Sequence, residues 1–335
     1  MKIIARVTSL IFVGPELCRD PAWLDITVAY FAKSNAALKE LRRYPPLLRS
    51  LVNRFAPKNR ELRNMVARAR RLIDPVISSR RESTRLAIKS GTPVSRYHDA
   101  LSWGEQLAMK RSIRYDAAAL QLALSLTAMH TSGDFIAQLL VDLCQHRHLL
   151  RPLREEMREI LGSGSWEKAT TLNNLKLLDS VLKESQRLKP VSIISMGRVA
   201  RNNVVLKNEI LIPKNSIVAI SCHFMWDPTK FENPLTFDGY RFLKRRTCGD
   251  TNKEHTATLV TTSPDHMGFG HGTYACPGRF FGVNEVKIIL CHFLLRFDFK
   301  LADGTLTQPV RWGFEILANP AARLRVRRRI DDLDL

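Results

Sequence analysis

The sequence predicts a mainly α-helical fold with small β-sheets, an α+β chain. Three observations lead there. Apolar residues recur at helical spacing over several long stretches. Period-two alternation is confined to two short regions. Apolar residues make up 45% of 335 positions, which suits a packed core and argues against disorder. In order along the chain, 1–13 is apolar but interrupted by Lys2 and Arg6. It is too short to span a bilayer and lacks a small-residue cleavage site. Stretches 22–41 and 58–77 read as amphipathic helices separated by the breaker Tyr44-Pro45-Pro46, and 83–97, with Ser90-Gly91-Thr92-Pro93, reads as a loop. The strongly apolar run 116–149 reads as a central helix. A helix over 152–161 follows, then a linker at Gly162-Ser163-Gly164-Ser165, then a helix over 172–189 stopped by Pro190. Alternation over 199–220 around Lys207-Asn208-Glu209 predicts a hairpin. Region 223–264 is irregular and rich in Asp, Pro, Asn and Gly. Alternation returns at Phe297, Phe299 and Leu301 and at Leu324 and Val326, so the chain ends in strands. No internal repeat is visible, and one domain over 1–335 is the simplest organisation.

Charge and cysteine usage narrow the function. Lys and Arg total 52 against 32 Asp and Glu, a formal +20, with much of the excess between 39 and 85. Such a face can meet nucleic acid, an anionic membrane surface or an acidic protein. No nucleic-acid motif accompanies it, so most of these residues read as solvated helix faces. The remainder read as a surface for a membrane or an acidic partner. The six cysteines, Cys18, Cys144, Cys222, Cys248, Cys276 and Cys291, form no C-x-x-C pair. That excludes a zinc ribbon or a secreted disulfide framework, and five of them read as small hydrophobes.

Cys276 is different. A glycine-rich loop, Phe269-Gly270-His271-Gly272-Thr273-Tyr274-Ala275, runs into it. Pro277 follows, and Val283, Val286, Ile289, Leu290, Phe293 and Leu294 then continue at helical spacing. The sulfur therefore sits at a helix N-terminus, where Pro fits the first turn and the positive dipole end stabilises a thiolate. Gly270, Gly272 and Gly278 let backbone approach whatever the sulfur holds. A lone thiolate in a tight loop suits axial ligation of haem iron, and its electron donation favours O–O cleavage. Zinc held by Cys276, His271 and His266 lacks a fourth ligand at sensible spacing.

This loop, Phe-x-x-Gly-x-x-x-Cys-x-Gly, resembles the cysteine loop of the haem-thiolate monooxygenases, the cytochrome P-450 superfamily. Two further segments carry the resemblance in the family's order. Leu182-Lys183-Glu184-Ser185-Gln186-Arg187-Leu188 matches its Glu-x-x-Arg helix, and Phe237-Asp238-Gly239-Tyr240-Arg241-Phe242 is similar to the segment whose arginine joins that pair. Glu184 and Arg187 stand one helical turn apart. Alone they would read as a surface pair. With Arg241 the resemblance implies a buried network that locks the loop of Cys276. Phe12-Val13-Gly14-Pro15-Glu16-Leu17-Cys18-Arg19, Leu177-Leu178-Asp179-Ser180 and Cys276-Pro277-Gly278-Arg279-Phe280-Phe281 resemble filamentous-fungal members of specialised metabolism, oxidases of diterpenes and indole-diterpenes among them.

The resemblance implies the remaining site. Phe269 and Gly270 open the haem-binding loop, and Cys276 is the axial ligand of haem b. Arg198 and Tyr274 stand where relatives carry propionate partners, Tyr274 offering a hydroxyl in place of a charge. Thr131, supported by Ser132, is placed as the proton relay on the central helix, with His130 where many relatives carry an acid. A helical Thr also commonly bonds back to its preceding turn. Val191-Ser192-Ile193-Ile194-Ser195 and Phe314-Glu315-Ile316-Leu317 match substrate-lining segments, whose apolar character suits a terpenoid-like small molecule. Electrons are expected from NADPH through a cytochrome reductase, and nucleic acid is not expected as a partner. The family's setting is the cytoplasmic side of the endoplasmic reticulum membrane, which this chain would meet peripherally because nothing in it spans a membrane. Family members are longer at the front, so Met1 is expected to open within a mid-fold helix. A truncated, catalytically impaired relative is therefore the second reading. A basic nucleic-acid-binding or scaffold protein is the third, and three ordered motifs oppose it.

Overall fold

The computed structural model describes residues 1–162 and 170–329. Its chain divides into two compact units, Met1–Gly133 and Asp134–Leu335, each described by itself below. The boundary falls within one continuous helix.

The first unit is all helical: α1 (Lys2–Val13), α2 (Pro21–Arg42), α3 (Pro46–Phe55), α4 (Pro57–Ser90), α5 (Ala100–Arg111) and the front of α6 (Ala117–Gln145). Asp20 caps α2 by accepting from Trp23 N at 3.0 Å, and Pro21 takes the first helical position. Trp23 is fully buried and its Nε1 donates to Ser9 Oγ on α1 at 3.0 Å. Ile26, Ala69, Ile73 and Leu101 complete the core from α2, α4 and α5. Arg80, expected on a solvated face, is instead buried between Glu16 and Asp99, each 2.7 Å away, with Tyr97 stacked 4.1 Å from its guanidinium.

Several expected boundaries move. The loop expected over 83–97 is helical to Ser90, because nothing before Gly91 must break the helix. Gly91 takes φ 70° and stops it. The breaker Tyr44-Pro45-Pro46 separates helices as expected, but Pro46 also starts α3. The central helix expected over 116–149 ends at Gln145. His146 leaves helical geometry, a 3-10 turn covers Arg147–Leu149, and α7 (Leu150–Gly162) begins two residues ahead of expectation. Residues 163–165 of the expected linker lie outside the described residues.

In the second unit α7 is followed by α8 (Thr171–Asn174) and α9 (Lys176–Leu188). The helix expected over 172–189 is therefore two, broken at Leu175 (ψ 73°). Strands β1 (Ile194–Val199), β2 (Val204–Val205), β3 (Leu211–Ile212) and β4 (Ile217–Ser221) make nested hairpins, with Val204 opposite Ile212 inside and Val199 opposite Ile217 outside. The tight end is the expected Lys207-Asn208-Glu209, where Glu209 adopts φ 64°. After the short helices α10 (Arg241–Arg245) and α11 (Thr251–Thr256) comes α12 (Arg279–Arg296). Strands β5 (Phe297–Leu301) and β8 (Leu324–Arg328) pair antiparallel, as do β6 (Val310–Trp312) and β7 (Glu315–Leu317).

At the centre of this unit lies α9. Every residue from Leu177 to Arg187 is buried, although most of the chemistry in that stretch is polar. The helix is tolerated there because most of its polar atoms are met, Gln186 Oε1 being an exception. Glu156 of α7 accepts from Leu177 N at 2.6 Å and Leu178 N at 3.0 Å, a carboxylate on the positive end of the helix. Ser180 donates to Gly239 O at 2.7 Å and accepts from Leu243 N at 2.9 Å. Asp179 pairs with Arg246 and, at 2.6 Å, with Lys287 of α12.

Candidate functional site

Glu184, Arg187 and Arg241 come together on α9 and α10. Arg187 Nε and Nη2 each donate to the Glu184 carboxylate at 2.8 Å, and both side chains are wholly buried. Arg241 Nε donates to Glu184 Oε1 at 3.0 Å, and Asp238 N does so at 3.1 Å. The remaining guanidinium donors go to carbonyls. Arg187 Nη1 reaches Met225 O at 2.6 Å and Pro234 O at 2.7 Å, and Arg241 Nη1 reaches Glu232 O at 2.6 Å. Phe231 covers the Arg187 guanidinium at 4.9 Å. The network thus fixes residues 225–241. Among the described residues its hydrogen bonds run to that segment, not to the cysteine loop, so the expected lock on Cys276 is not made by these three side chains directly.

Other residues of α9 reach the segment 258–268 that runs into the cysteine loop. Lys183, fully buried, donates from Nζ to Thr258 O at 2.7 Å and Thr261 O at 3.0 Å. Its own carbonyl meets His266 Nε2 at 3.2 Å. Burial pulls the Lys183 ammonium down to about 7, and burial together with the Lys183 charge drives His266 well below the ordinary histidine range. A Cβ on Gly268 would stand 2.3 Å from Gln186 Oε1, so only glycine lets the chain cross α9 there. Asp179 Oδ2 accepts from Leu259 N at 2.9 Å. Sequence reasoning missed Lys183, Asp179 and His266 as anchors. Asp179 and Lys183 lie on the same helix as the Glu-x-x-Arg pair, but their partners and His266 lie far along the chain, so no local signal named them.

The loop itself is built on turns. Gly270 and Gly272 take φ 71° and 69°, conformations that favour glycine, and Cys276 N donates to Phe269 O at 2.8 Å, closing the loop. Cys276 is exposed and unbridged. The helix α12 that follows has Gly278 at its N-cap and no side-chain cap, so its positive end is turned to the loop without a competing group. The cysteine loop, expected over 269–282, ends at the Gly278 cap, and Pro277, expected in the first helical turn, stands just before that cap because the helix begins at Arg279. Beside it, Tyr274 is 75% exposed and carries the Arg198 guanidinium 4.3 Å from its ring centroid. Arg198 lies on β1, whose Ser195 Oγ would be 3.6 Å from a Cβ at Gly270. The two segments expected to line a substrate meet: Ile193 N donates to Phe314 O at 2.8 Å and Ile316 N to Val191 O at 3.2 Å.

His130, Thr131 and Ser132 lie in the first unit. Thr131 is exposed and its Oγ1 donates to Thr127 O at 3.0 Å, with Ala128 O at 3.2 Å. Ser132 is buried. His130 stacks on Phe31 at 3.7 Å, and its buried Nε2 has no hydrogen-bond partner among the described residues. Burial, then the positive chain terminus, hold its imidazole below the ordinary range.

The donor set fits haem. Among the described residues no three His, Cys, Asp or Glu side chains cluster to hold a bare metal ion. A single exposed sulfur suits a metal that arrives with its other equatorial donors in a macrocycle. The exposed side chains of Tyr274 and Phe280, which flank Cys276 in the sequence, suit a flat apolar ring.

Comparison with known proteins agrees. The family model described as cytochrome P-450 matches residues 19–324. Cytochrome P-450 monooxygenase 1 of Gibberella fujikuroi is 46% identical over 333 residues, covering 99% of this chain and 75% of its own length. Cytochrome P-450 monooxygenase adrA of Penicillium rubens is 45% identical over 331 residues, covering 99% and 64%. Cytochrome P-450 monooxygenase hepE of Aspergillus oryzae is 43% identical over 329 residues, covering 98% and 60%. Thus the chain spans between 60% and 75% of these three relatives. Retinoic acid-bound cyanobacterial CYP120A1 superposes with a TM-score of 0.69 at 20% identity, over 98% of this chain and 68% of that one, and shares the fold.

Proposed function

The chain belongs to the cytochrome P-450 family, and we propose that it acts as a haem-thiolate monooxygenase on an apolar small molecule, with Cys276 holding the iron. The observation that carries this reading is the exposed, unbridged Cys276 at the uncapped start of α12, in a loop that follows a segment bound to α9, itself buried from Leu177 to Arg187. Haem, when bound, supplies activation of dioxygen and insertion of one of its atoms into an unactivated C–H bond, with electrons from NADPH through a cytochrome reductase.

The chain's own residues prepare that chemistry. Phe269 and Gly270 shape the loop, and Cys276 presents its sulfur beyond them. Arg198 and Tyr274, stacked on each other, offer a charged donor and a hydroxyl to the propionates. Thr131 is the proton relay. Its Oγ1 gives its own proton to the helix at Thr127 O and so keeps acceptor capacity for a proton passed from solvent. His130, neutral near pH 7, can take a proton at Nε2, and Ser132 stands beside them. The paired segments 191–195 and 314–317 supply an apolar lining, which favours a terpenoid-like substrate of fungal specialised metabolism.

The same reading includes a peripheral membrane contact. No described helix is long and apolar enough to cross a membrane. Helix α3, however, buries none of its residues: Leu47 is 94% and Phe55 70% exposed, with Leu48 and Leu51 between them and Arg49 and Arg54 alongside. An apolar stripe flanked by arginines suits an anionic bilayer surface.

The carbon monoxide difference spectrum of the reduced protein tests the reading. The red-shifted Soret band of thiolate-ligated haem is expected, absent in Cys276→Ala and present in Cys291→Ala. An unchanged band in Cys276→Ala overturns it.

A further inference from the structure

The buried ammonium of Lys183 does not reach Cys276, yet a continuous set of contacts joins them. Lys183 Nζ holds the carbonyls of Thr258 and Thr261. Between those two residues lies Val260, whose carbonyl accepts from Arg279 Nε at 3.0 Å. The same guanidinium donates from Nη1 to Cys276 O at 2.8 Å. The short segment 258–261 is thus gripped from α9 on one side and from the first residue of α12 on the other. Thr258 Oγ1 and Thr261 Oγ1 lie 2.6 Å apart and close it on itself.

We propose that Lys183 is a positioning residue for Cys276, acting through the 258–261 turn and the Arg279 guanidinium to fix the carbonyl, and hence the sulfur direction, of the cysteine. The role as a haem-ligand positioner rests on the reading of Cys276 above. The mechanical coupling does not.

The chemistry suits the task. Three carbonyls of the turn are met by donors with a reach of several bonds, Thr258 O and Thr261 O by Lys183 and Val260 O by Arg279. Two carbonyls need two N–H groups, which Lys183 has whether its amine is charged or neutral. Arg279 bridges Val260 O and Cys276 O at once, its donors being set in a rigid planar fork. The contact of His266 Nε2 with Lys183 O closes the same region from behind, since Ser263 and His266 form a tight turn through mutual backbone hydrogen bonds of 3.0 and 3.3 Å.

Hydrogen–deuterium exchange on the chain, read by mass spectrometry, tests this without haem. The reporters are peptides covering 258–279, which include the Cys276 amide bonded to Phe269 O. Peptides covering 297–328 are the control, because β5 and β8 pair independently of the bracket. Lys183→Met and, separately, Arg279→Met are expected to raise exchange in 258–279 and leave 297–328 unchanged. The double variant should add little to either single change, since both break one linkage. Arg279 is only half-buried, so its variant keeps the question answerable even where Lys183→Met unfolds. Arg279→Lys, which keeps a donor, should restore part of the protection.

Unchanged exchange at 269–276 in the Arg279→Met chain overturns the proposal. So does exchange raised equally in 297–328 by Lys183→Met together with full protection in Arg279→Met, which makes Lys183 a general core residue. On the haem-loaded chain, both variants should lose part of the thiolate-type carbon monoxide band relative to bound haem. If the Cys276→Ala spectrum shows that Cys276 is no ligand, the exchange result still judges the bracket, so the two failures are distinguishable.

Discussion

Glu184→Ala is the sharpest single perturbation of this molecule. The carboxylate accepts from Arg187 Nε and Nη2, from Arg241 Nε and from Asp238 N, all between 2.8 and 3.1 Å and at zero side-chain exposure. Removing it leaves the Arg187 charge buried against two carbonyls alone, which costs about 3–5 kcal/mol. The orphaned Asp238 N–H adds to this, bringing the loss to about 4–8 kcal/mol. A domain is stable by only about 5–15 kcal/mol, so most or all of the margin disappears. Urea denaturation followed by far-ultraviolet circular dichroism, with haem content per chain on the same samples, measures it. The expected result is a large fall in the midpoint with loss of stable haem incorporation. Glu184→Gln, which keeps an acceptor but not the charge, should fall in between. Glu184→Met with Arg187→Met should be less harmful than Glu184→Ala alone, because no charge of that pair is then left buried. A well-folded Glu184→Ala chain with an unchanged midpoint and full haem loading would refute the argument.

Three other outcomes follow from the same geometry. Thr131→Ala should keep haem binding while hydrogen peroxide appears in solution at the expense of product. Equal peroxide and product in variant and parent would make Thr131 only a back-bonded helix residue. Stability should rise with pH in two windows. The Lys183 amine is depressed to about 7 from an ordinary 10.5, so the folded chain binds fewer protons than the unfolded one between those values. Its contribution is fully present above about pH 10.5 and lost as pH falls towards 7. His266 is depressed below 6.5, so its contribution is present above that value and lost as pH falls below it. Urea titrations in Lys183→Met and His266→Leu should each flatten the corresponding window, and a slope that persists in both would contradict the assignment. Finally, Leu47→Asp with Leu51→Asp should reduce sedimentation with anionic phosphatidylserine vesicles while leaving the fold intact, and undiminished binding would remove α3 from the membrane-facing role.

How far the sequence could be read depended on whether an element's partners were local. The hairpin around Lys207-Asn208-Glu209 and the strands after Phe297 were legible because alternation and a turn are written side by side. Helices α3 and α5 were missed, although each has a local start signal. Pro46 sits at the first helical position, and Asp99 accepts from Ser102 N at 2.9 Å as an N-cap. The end of α4 was misread because Ser83, Thr84 and Ser90 have loop composition. The backbone nevertheless stays helical until the first residue free to take positive φ, which is Gly91.

The deeper miss is α9. Its pattern, Leu177-Leu178-Asp179-Ser180-Val181-Leu182-Lys183-Glu184, reads as one apolar face and one wet face. The structure leaves no face wet, and what compensates it comes from far along the chain: Glu156, Gly239, Thr258 and Lys287. A motif could pick out Glu184 and Arg187 because their spacing is intrahelical. It could not pick out Lys183 or Asp179, whose partners lie about 67 to 108 residues away and differ in type, a carbonyl pair in one case and a lysine with an arginine in the other. The cost of burying so polar a helix is met only when all these segments are in place at once. That makes α9 a cooperative hub. A perturbation at any of its partners should therefore register at the cysteine loop before it registers in the β5–β8 pair, whose contacts are made without it.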